Sequence, residues 1–237
     1  MSVGKMCYSL EKDLIEDFIK FLPETYTEGG KYVVFSECKT SWGIVDIMLV
    51  KYSTIKLEER KKKMPQISEP FTFAASYVLN RIFQCPYTTV NDLAASLKMS
   101  KSKIYKDISV LEERNLINKY KNGKLRAKSV AKSYFIENIT AYEAKISNLK
   151  KALAQAERHL WFTNSSYVVL PELSNVTLEK VSNACLEKEI GLIVLNGAGK
   201  IETKTVHMSN KHFRTVLSWL INEKILDGGM LIGEFTV

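Results

Sequence analysis

The stretch AYEAKISNLKKALAQAERHLWFTNSSYVVL, residues 141–170, decides how this chain is read. A β-type run hands over to an amphipathic helix, which hands over to another β-type run. The helix sets Leu149, Ala152, Leu153, Ala156 and Leu160 on one apolar stripe, with Gln155 at its border. Just before it, Glu143 and Lys145 stand two apart on an extended segment, so their side chains project to one face. Such a pair is common on strands. A second carboxylate elsewhere in the chain would make it part of a site.

Outward from this stretch the pattern stays mixed α and β. On the C-terminal side, LEKVSNACLEKEI reads as a helix, GLIVLNGAGKIETKTV as a β-hairpin, NKHFRTVLSWLINEKIL as a helix and MLIGEFTV as a final strand. On the N-terminal side, residues 8–22 form an amphipathic helix with Leu10, Leu14, Ile15, Phe18, Ile19 and Leu22 on one side, which Pro23 and TEGG are expected to stop. KYVVFSEC and GIVDIMLVKY make a hairpin around Lys39–Gly43. The polar, charged and proline-containing residues 53–69, STIKLEERKKKMPQISE, read as a linker.

The chain has 237 residues, enough for one large domain or two small ones, and a net charge of +8. No apolar run approaches the length of a membrane span. The N-terminal MSVGKMCYSLEKD has no hydrophobic signal region, which points to the cytoplasm. Cys7, Cys38, Cys85 and Cys185 lack CxxC spacing, and His159, His207 and His212 lack ligand spacing, so a structural zinc site is not indicated. GAGK at 197–200 lacks the remaining residues of a phosphate-binding loop.

From Pro70 to about Lys128 the pattern is helix, helix, helix, hairpin. PFTFAASYVLNRIFQCP is closed by Pro86, and TTVNDLAASLKM offers Thr88 or Thr89 as a cap. SKSKIYKDISVLEERNLI sets Ile104, Ile108 and Leu111 at helical spacing, and INKYKNGKLRAKS suits a tight turn at Asn122-Gly123. That order resembles bacterial winged helix-turn-helix DNA-binding domains. Between Lys98 and Lys128 there are ten Lys or Arg and three Asp or Glu. The resemblance implies contact with duplex DNA through Lys101, Ser102, Lys103, Tyr105 and Lys106 on the third helix, and through Lys119, Lys121, Lys124 and Arg126 on the hairpin. Winged helices also serve as protein-docking modules, and lysine-rich faces also serve only solubility.

The second carboxylate is Asp46 in WGIVDIMLV, an acid inside an otherwise apolar strand after the Trp42-Gly43 turn, where an unpaired charge is costly. Two acids supply the hard oxygen ligands that Mg²⁺ takes. With the hairpin strand carrying Asp46, the segment Glu143-Ala144-Lys145 and the helix carrying Gln155, the chain resembles the PD-(D/E)xK nuclease superfamily over residues 8–52 and 132–205. This implies an α/β, restriction-endonuclease-like mixed sheet flanked by helices, interrupted by the winged helix-turn-helix domain. The expected layout is a first core part at 1–52, a linker at 53–69, the winged helix at 70–130 and a second core part at 131–237. Asp46 and Glu143 lie 97 residues apart, farther than is usual in that superfamily, and the inserted domain accounts for the distance. Val45 stands where the superfamily has proline.

The resemblance implies a Mg²⁺- or Mn²⁺-dependent endonuclease. Asp46, Glu143 and the carbonyl of Ala144 would hold the metal, and Lys145 would stabilise charge on the phosphate. Gln155 would reach the site, and Glu16, with Glu11 as second choice, would add a ligand from the first helix. A weaker rival uses Glu37-Cys38-Lys39 with Asp17. The alternative in a different class is a non-enzymatic DNA-binding regulator on an inactive nuclease scaffold; a third is a docking module. A homodimer or larger nucleoprotein complex suits two-strand cleavage.

Overall fold

The computed structural model describes residues 8–25, 31–40, 43–63, 69–195, 201–205, 214–228 and 234–236. Trp42, the GAGK segment, Cys7, His207 and His212 lie outside them. Helix α1 (Glu11–Thr25) is followed by strands β1 (Lys31–Thr40) and β2 (Gly43–Tyr52), then by helices α2 (Thr54–Lys62), α3 (Phe73–Gln84), α4 (Val90–Leu97) and α5 (Lys101–Glu113). Strands β3 (Ile117–Lys119) and β4 (Leu125–Ala127) and the single turn α6 (Val130–Ser133) lead into β5 (Ile136–Ala144), α7 (Leu149–His159) and β6 (Ser165–Pro171). Then come α8 (Asn175–Glu187), β7 (Gly191–Leu195), β8 (Ile201–Thr205), α9 (Val216–Leu226) and β9 (Glu234–Thr236). The chain divides into two compact units: Met1–Tyr52, Glu137–Phe213 and Leu231–Val237 form one, Ser53–Ile136 and Arg214–Met230 the other.

The first unit is α/β. Its seven-stranded sheet has the order β8-β7-β6-β5-β2-β1-β9. Strands β5, β6 and β7 run parallel, joined by α7 and α8 as crossover helices, while β1–β2, β1–β9 and β7–β8 are antiparallel. The two faces of the central strands bury different partners because side chains alternate. Tyr142, Ala144, Tyr167, Val169, Ile193 and Leu195 pack with Leu14, Phe18 and Leu22 of α1. Val168, Leu170, Leu192 and Val194 pack with Ala152, Leu153 and Ala156 of α7 and with Val181 and Cys185 of α8. Packing on the α1 side is tight: a Cβ at Gly191 would lie 2.1 Å from the Tyr167 ring. Helix α1 runs two residues past Pro23, giving up a main-chain bond that proline cannot donate, so Pro23 does not stop it.

The second unit contains α2, α3, α4, α5, the two-stranded β3–β4 sheet, α6 and α9. Thr89 caps α4 in a reciprocal capping box with Asp92, while Thr88 bridges to Leu125 beside β4. Lys98, in the left-handed conformation, ends α4, and Ser100 caps α5. In the hairpin turn Gly123 alone takes positive φ (77°); Asn122 does not share it. At the ends of residues 53–136, Ser53 N donates to Phe135 O at 2.9 Å, so the two strands of chain that lead into and out of this stretch meet.

Two expectations change here. Residues 54–62 are not a linker but helix α2, capped by Ser53 and burying Leu57 and Arg60. Residues 131–237 do not all belong with the first unit, because α9 is in the second. Every residue from Leu217 to Glu223 is buried, as befits a helix enclosed on all sides. Trp219 stacks on Phe83 with centroids 5.3 Å apart and meets Tyr134 edge-on at 5.0 Å. Two arginines fix α9 by charge. Arg60 reaches Glu223 at 2.6 and 2.8 Å, and Arg114 grips both oxygens of Asp227 at 2.9 and 2.8 Å and Glu223 at 3.1 Å.

Candidate functional site

The first cluster forms where β2 and β5 lie side by side. Alternation along β5 puts Tyr142 and Ala144 against α1 and turns Glu143 to the face of its register partner Val168, which α7 covers. Beyond the strand, Lys145 N still donates to Val169 O at 3.0 Å, which fixes Lys145 in place. Asp46 Oδ2 accepts from Ala144 N at 3.0 Å and so ties β2 to β5 through a side chain. Helix α7 then starts at Asn148, whose left-handed φ of 52° asparagine tolerates and whose Oδ1 caps Lys151 N at 3.3 Å.

Four oxygens converge on the ammonium of Lys145. Glu143 Oε1 and Ala144 O are each 3.0 Å from Nζ, Glu11 Oε2 is 3.1 Å away and Asp46 Oδ2 3.3 Å. Glu143 is 0% exposed, and neither of its oxygens has a hydrogen-bond partner; its contact with Nζ is an ion pair without hydrogen-bond alignment. Burial, and next the charge of Asp46, push the Glu143 carboxyl up from 4.5 to about 7, against the pull of Lys145. For Lys145 burial opposes the charge, but Glu143 and Asp46 outweigh it and hold the ammonium above the ordinary lysine range.

The structure thus brings Asp46, Glu143, Ala144 and Lys145 together. Glu16 is not with them: its exposed carboxylate pairs with Lys12 at 3.6 Å, and Glu11 is the α1 acid at the cluster. Gln155 lies on α7 with its Oε1 buried and unpartnered, and makes no hydrogen bond to the cluster. His159, four residues on and therefore on the same helix face, does face it: Nε2 is 4.0 Å from Glu143 Oε2. Burial, then Arg158 and Lys145, depress its imidazole to about 4, so it is neutral at pH 7. The rival set is not assembled: Glu37 is exposed, and Asp17 engages Tyr8 at 3.3 Å and Lys20 at 2.9 Å.

These residues suit a hard divalent cation. The ammonium nitrogen shows that a positive charge is accepted among two carboxylate oxygens and a main-chain carbonyl, all hard donors. Among the described residues no group of three or more His, Cys, Asp and Glu side chains is spaced to ligate a metal. A cation here would rest on Asp46, Glu143, the Ala144 carbonyl and water, the few-carboxylate, water-rich mode that Mg²⁺ favours.

The second cluster is the basic surface of α5 and the hairpin. Ile104, Ile108 and Leu111 are buried, leaving Lys101, Ser102, Lys103, Tyr105 and Lys106 exposed. Lys106 makes only a distant pair with Glu69 at 3.8 Å. Lys119, Lys121, Lys124 and Arg126 are exposed on and around the β3–β4 turn. Arg126 is engaged, donating to Tyr87 Oη at 3.0 Å with its guanidinium 5.4 Å from the ring centroid.

No protein-family model, curated protein or solved structure matches the chain. No helix among the described residues is long and apolar enough to cross a membrane.

Two residues at the first cluster, Glu11 and His159, differ from those the sequence pattern puts first. Glu11 was legible: it stands three and seven residues before Leu14 and Phe18, in phase with the buried line of α1, whereas Glu16 is out of phase. His159 lacks ligand spacing to another histidine, and its place four residues after Gln155 is the signal that puts it on this helix face.

Proposed function

We propose that this chain is a DNA-binding, Mg²⁺- or Mn²⁺-dependent endonuclease of the PD-(D/E)xK type, with a winged helix-turn-helix inserted in its core that engages duplex DNA. The observation that carries the reading is the convergence of Asp46 and Glu143 on the Lys145 ammonium, at 3.3 and 3.0 Å, although Asp46 and Lys145 are 99 residues apart in the chain. An acid–acid–lysine set with unsatisfied, buried carboxylate oxygens is the kind of perturbed constellation that marks functional sites.

In this reading Asp46, Glu143 and the Ala144 carbonyl hold the cation, and Glu11 offers a further oxygen. When bound, the ion supplies Lewis-acid stabilisation of charge on the phosphate. Lys145 then exchanges its carboxylate contacts for the phosphate oxygens and stays protonated. Neutral His159 borders Glu143 at 4.0 Å and adds no charge to the site. The exposed lysines of α5 and the hairpin neutralise backbone phosphates.

One observation favours a second reading. Lys145 already neutralises the acids as a cation would, which also suits an inactive nuclease scaffold in a DNA-binding regulator. Cleavage of supercoiled plasmid with Mg²⁺ or Mn²⁺ separates the two. The enzyme reading expects metal-dependent nicking that Lys145→Ala and Asp46→Asn abolish, with salt-dependent DNA affinity retained in both variants. No nicking at any metal concentration, together with protection of one DNA sequence regardless of metal, would establish the regulator.

A further inference from the structure

Beside β4, the second unit exposes two tyrosines that a fold alone does not require. Tyr87 is 47% and Tyr120 41% exposed, and their ring centroids lie 5.9 Å apart. Tyr87 has φ of 66°, a backbone conformation that bulky L residues rarely adopt. Its placement is fixed by the neighbouring residue: Leu125 N donates to Thr88 O at 2.8 Å, which sets Tyr87 beside Arg126. Arg126 then covers the Tyr87 ring and bonds its hydroxyl. Tyr120 sits at the base of the hairpin turn, where its N donates to Lys124 O at 2.9 Å and its O accepts from Gly123 N at 2.9 Å. Residues 117–127 carry Lys119, Lys121, Lys124 and Arg126 and no acid.

We propose that this hairpin carries a stacking platform for an unpaired nucleobase, formed by Tyr120 and braced by Tyr87 and Arg126. The ligand of the second unit is then DNA with a single-stranded segment next to a duplex, such as a tailed end or an opened junction. This rests on the DNA-binding reading above and narrows its substrate class. Every base offers a π face, so an exposed aromatic ring amid lysines holds single strands with little regard to sequence. The lysines on either side of the ring take the flanking phosphates. A blunt duplex keeps its bases stacked internally and offers this ring nothing beyond phosphate contact. The charge excludes a basic partner, and an arginine stacked over tyrosine extends the aromatic surface that a base would meet.

The test uses the full chain and fluorescence anisotropy on a blunt duplex and on the same duplex with a tail carrying 2-aminopurine next to the duplex end. The wild type is expected to bind the tailed DNA more tightly and to quench the 2-aminopurine by stacking. Tyr120→Leu is expected to weaken tailed binding about 5- to 150-fold while leaving blunt-duplex affinity in place, and Tyr120→Phe to retain the preference. Equal wild-type affinity for both DNAs with no quenching would overturn the platform and leave duplex binding standing. So would an equal loss on both DNAs in Tyr120→Leu, which would make the ring a structural brace. An absence of salt-dependent affinity for any DNA would instead overturn the DNA-binding reading itself.

Discussion

Both units bury charge, and they do so in opposite ways. In the second unit Arg60 and Arg114 face Glu223 and Asp227, two positive against two negative, through paired, well-aligned bonds. Asn222 completes the network, donating to Glu223 Oε1 at 3.0 Å and accepting from Phe135 N at 3.0 Å. In the first unit one lysine faces Glu11, Asp46 and Glu143, and both oxygens of Glu143 go without a hydrogen bond. The balanced network matches two guanidiniums with two carboxylates and holds α9 in place, with every carboxylate oxygen engaged and one donor, Arg114 Nε, left without a partner. The unbalanced one has acceptors left over. That difference, more than burial as such, separates a structural ion cluster from a candidate site.

The comparison is most easily broken at its two fully buried acids. Glu223→Ala leaves two buried guanidiniums short of a partner and is expected to lower stability by about 3–5 kcal/mol, measured by urea unfolding. A loss under 1 kcal/mol would show that the network is ornamental. Packing on the α1 side of the first unit sets the next scale. Gly191→Ala drives a methyl into the Tyr167 ring and should cost about 1–3 kcal/mol. Adding Tyr167→Leu should recover part of it.

Glu143 should behave oppositely to Glu223. Its folded pKa is raised to about 7 from 4.5, so its contribution is fully present below 4.5 and is lost as pH rises through 7. Stability of the metal-free protein is expected to fall across that window with a slope of at most about 1.4 kcal/mol per pH unit. Glu143→Gln should flatten the slope and stabilise the protein above pH 7, and in the endonuclease reading saturating Mg²⁺ should do likewise for the wild type. An unchanged slope in Glu143→Gln would place the titration elsewhere. The smallest effect is expected at Thr89→Ala, which removes the capping box of α4 for about 1 kcal/mol and should leave the first unit's cluster untouched.

The apolar runs of β2 and β5 and the apolar stripe of α7 were plain in the sequence, because the two strands are buried on both faces and the helix on one. These patterns also picked out Asp46, Glu143 and Lys145, which depart from them. Helix α2 was hidden because only Leu57 and Arg60 of TIKLEERKK are buried, too few to make a period, and its partner is a distant acid. The place of α9 was illegible for the same reason: its strong apolar pattern announces a buried helix but not which unit buries it. Tyr87 and Tyr120 lie far apart in sequence and meet only through the Thr88–Leu125 bridge.

The pairing of Arg60 with Glu223 spans 163 residues, and it sets the timetable of folding. At a synthesis rate of roughly 5–20 residues per second, Arg60 waits on the order of 10 seconds for its carboxylate. Nascent chains that mature from the N-terminus onward cannot do so here, since the second unit lacks α9 until residues 216–226 have emerged. A stop codon before residue 216 would therefore damage the middle of the protein, far from the cut.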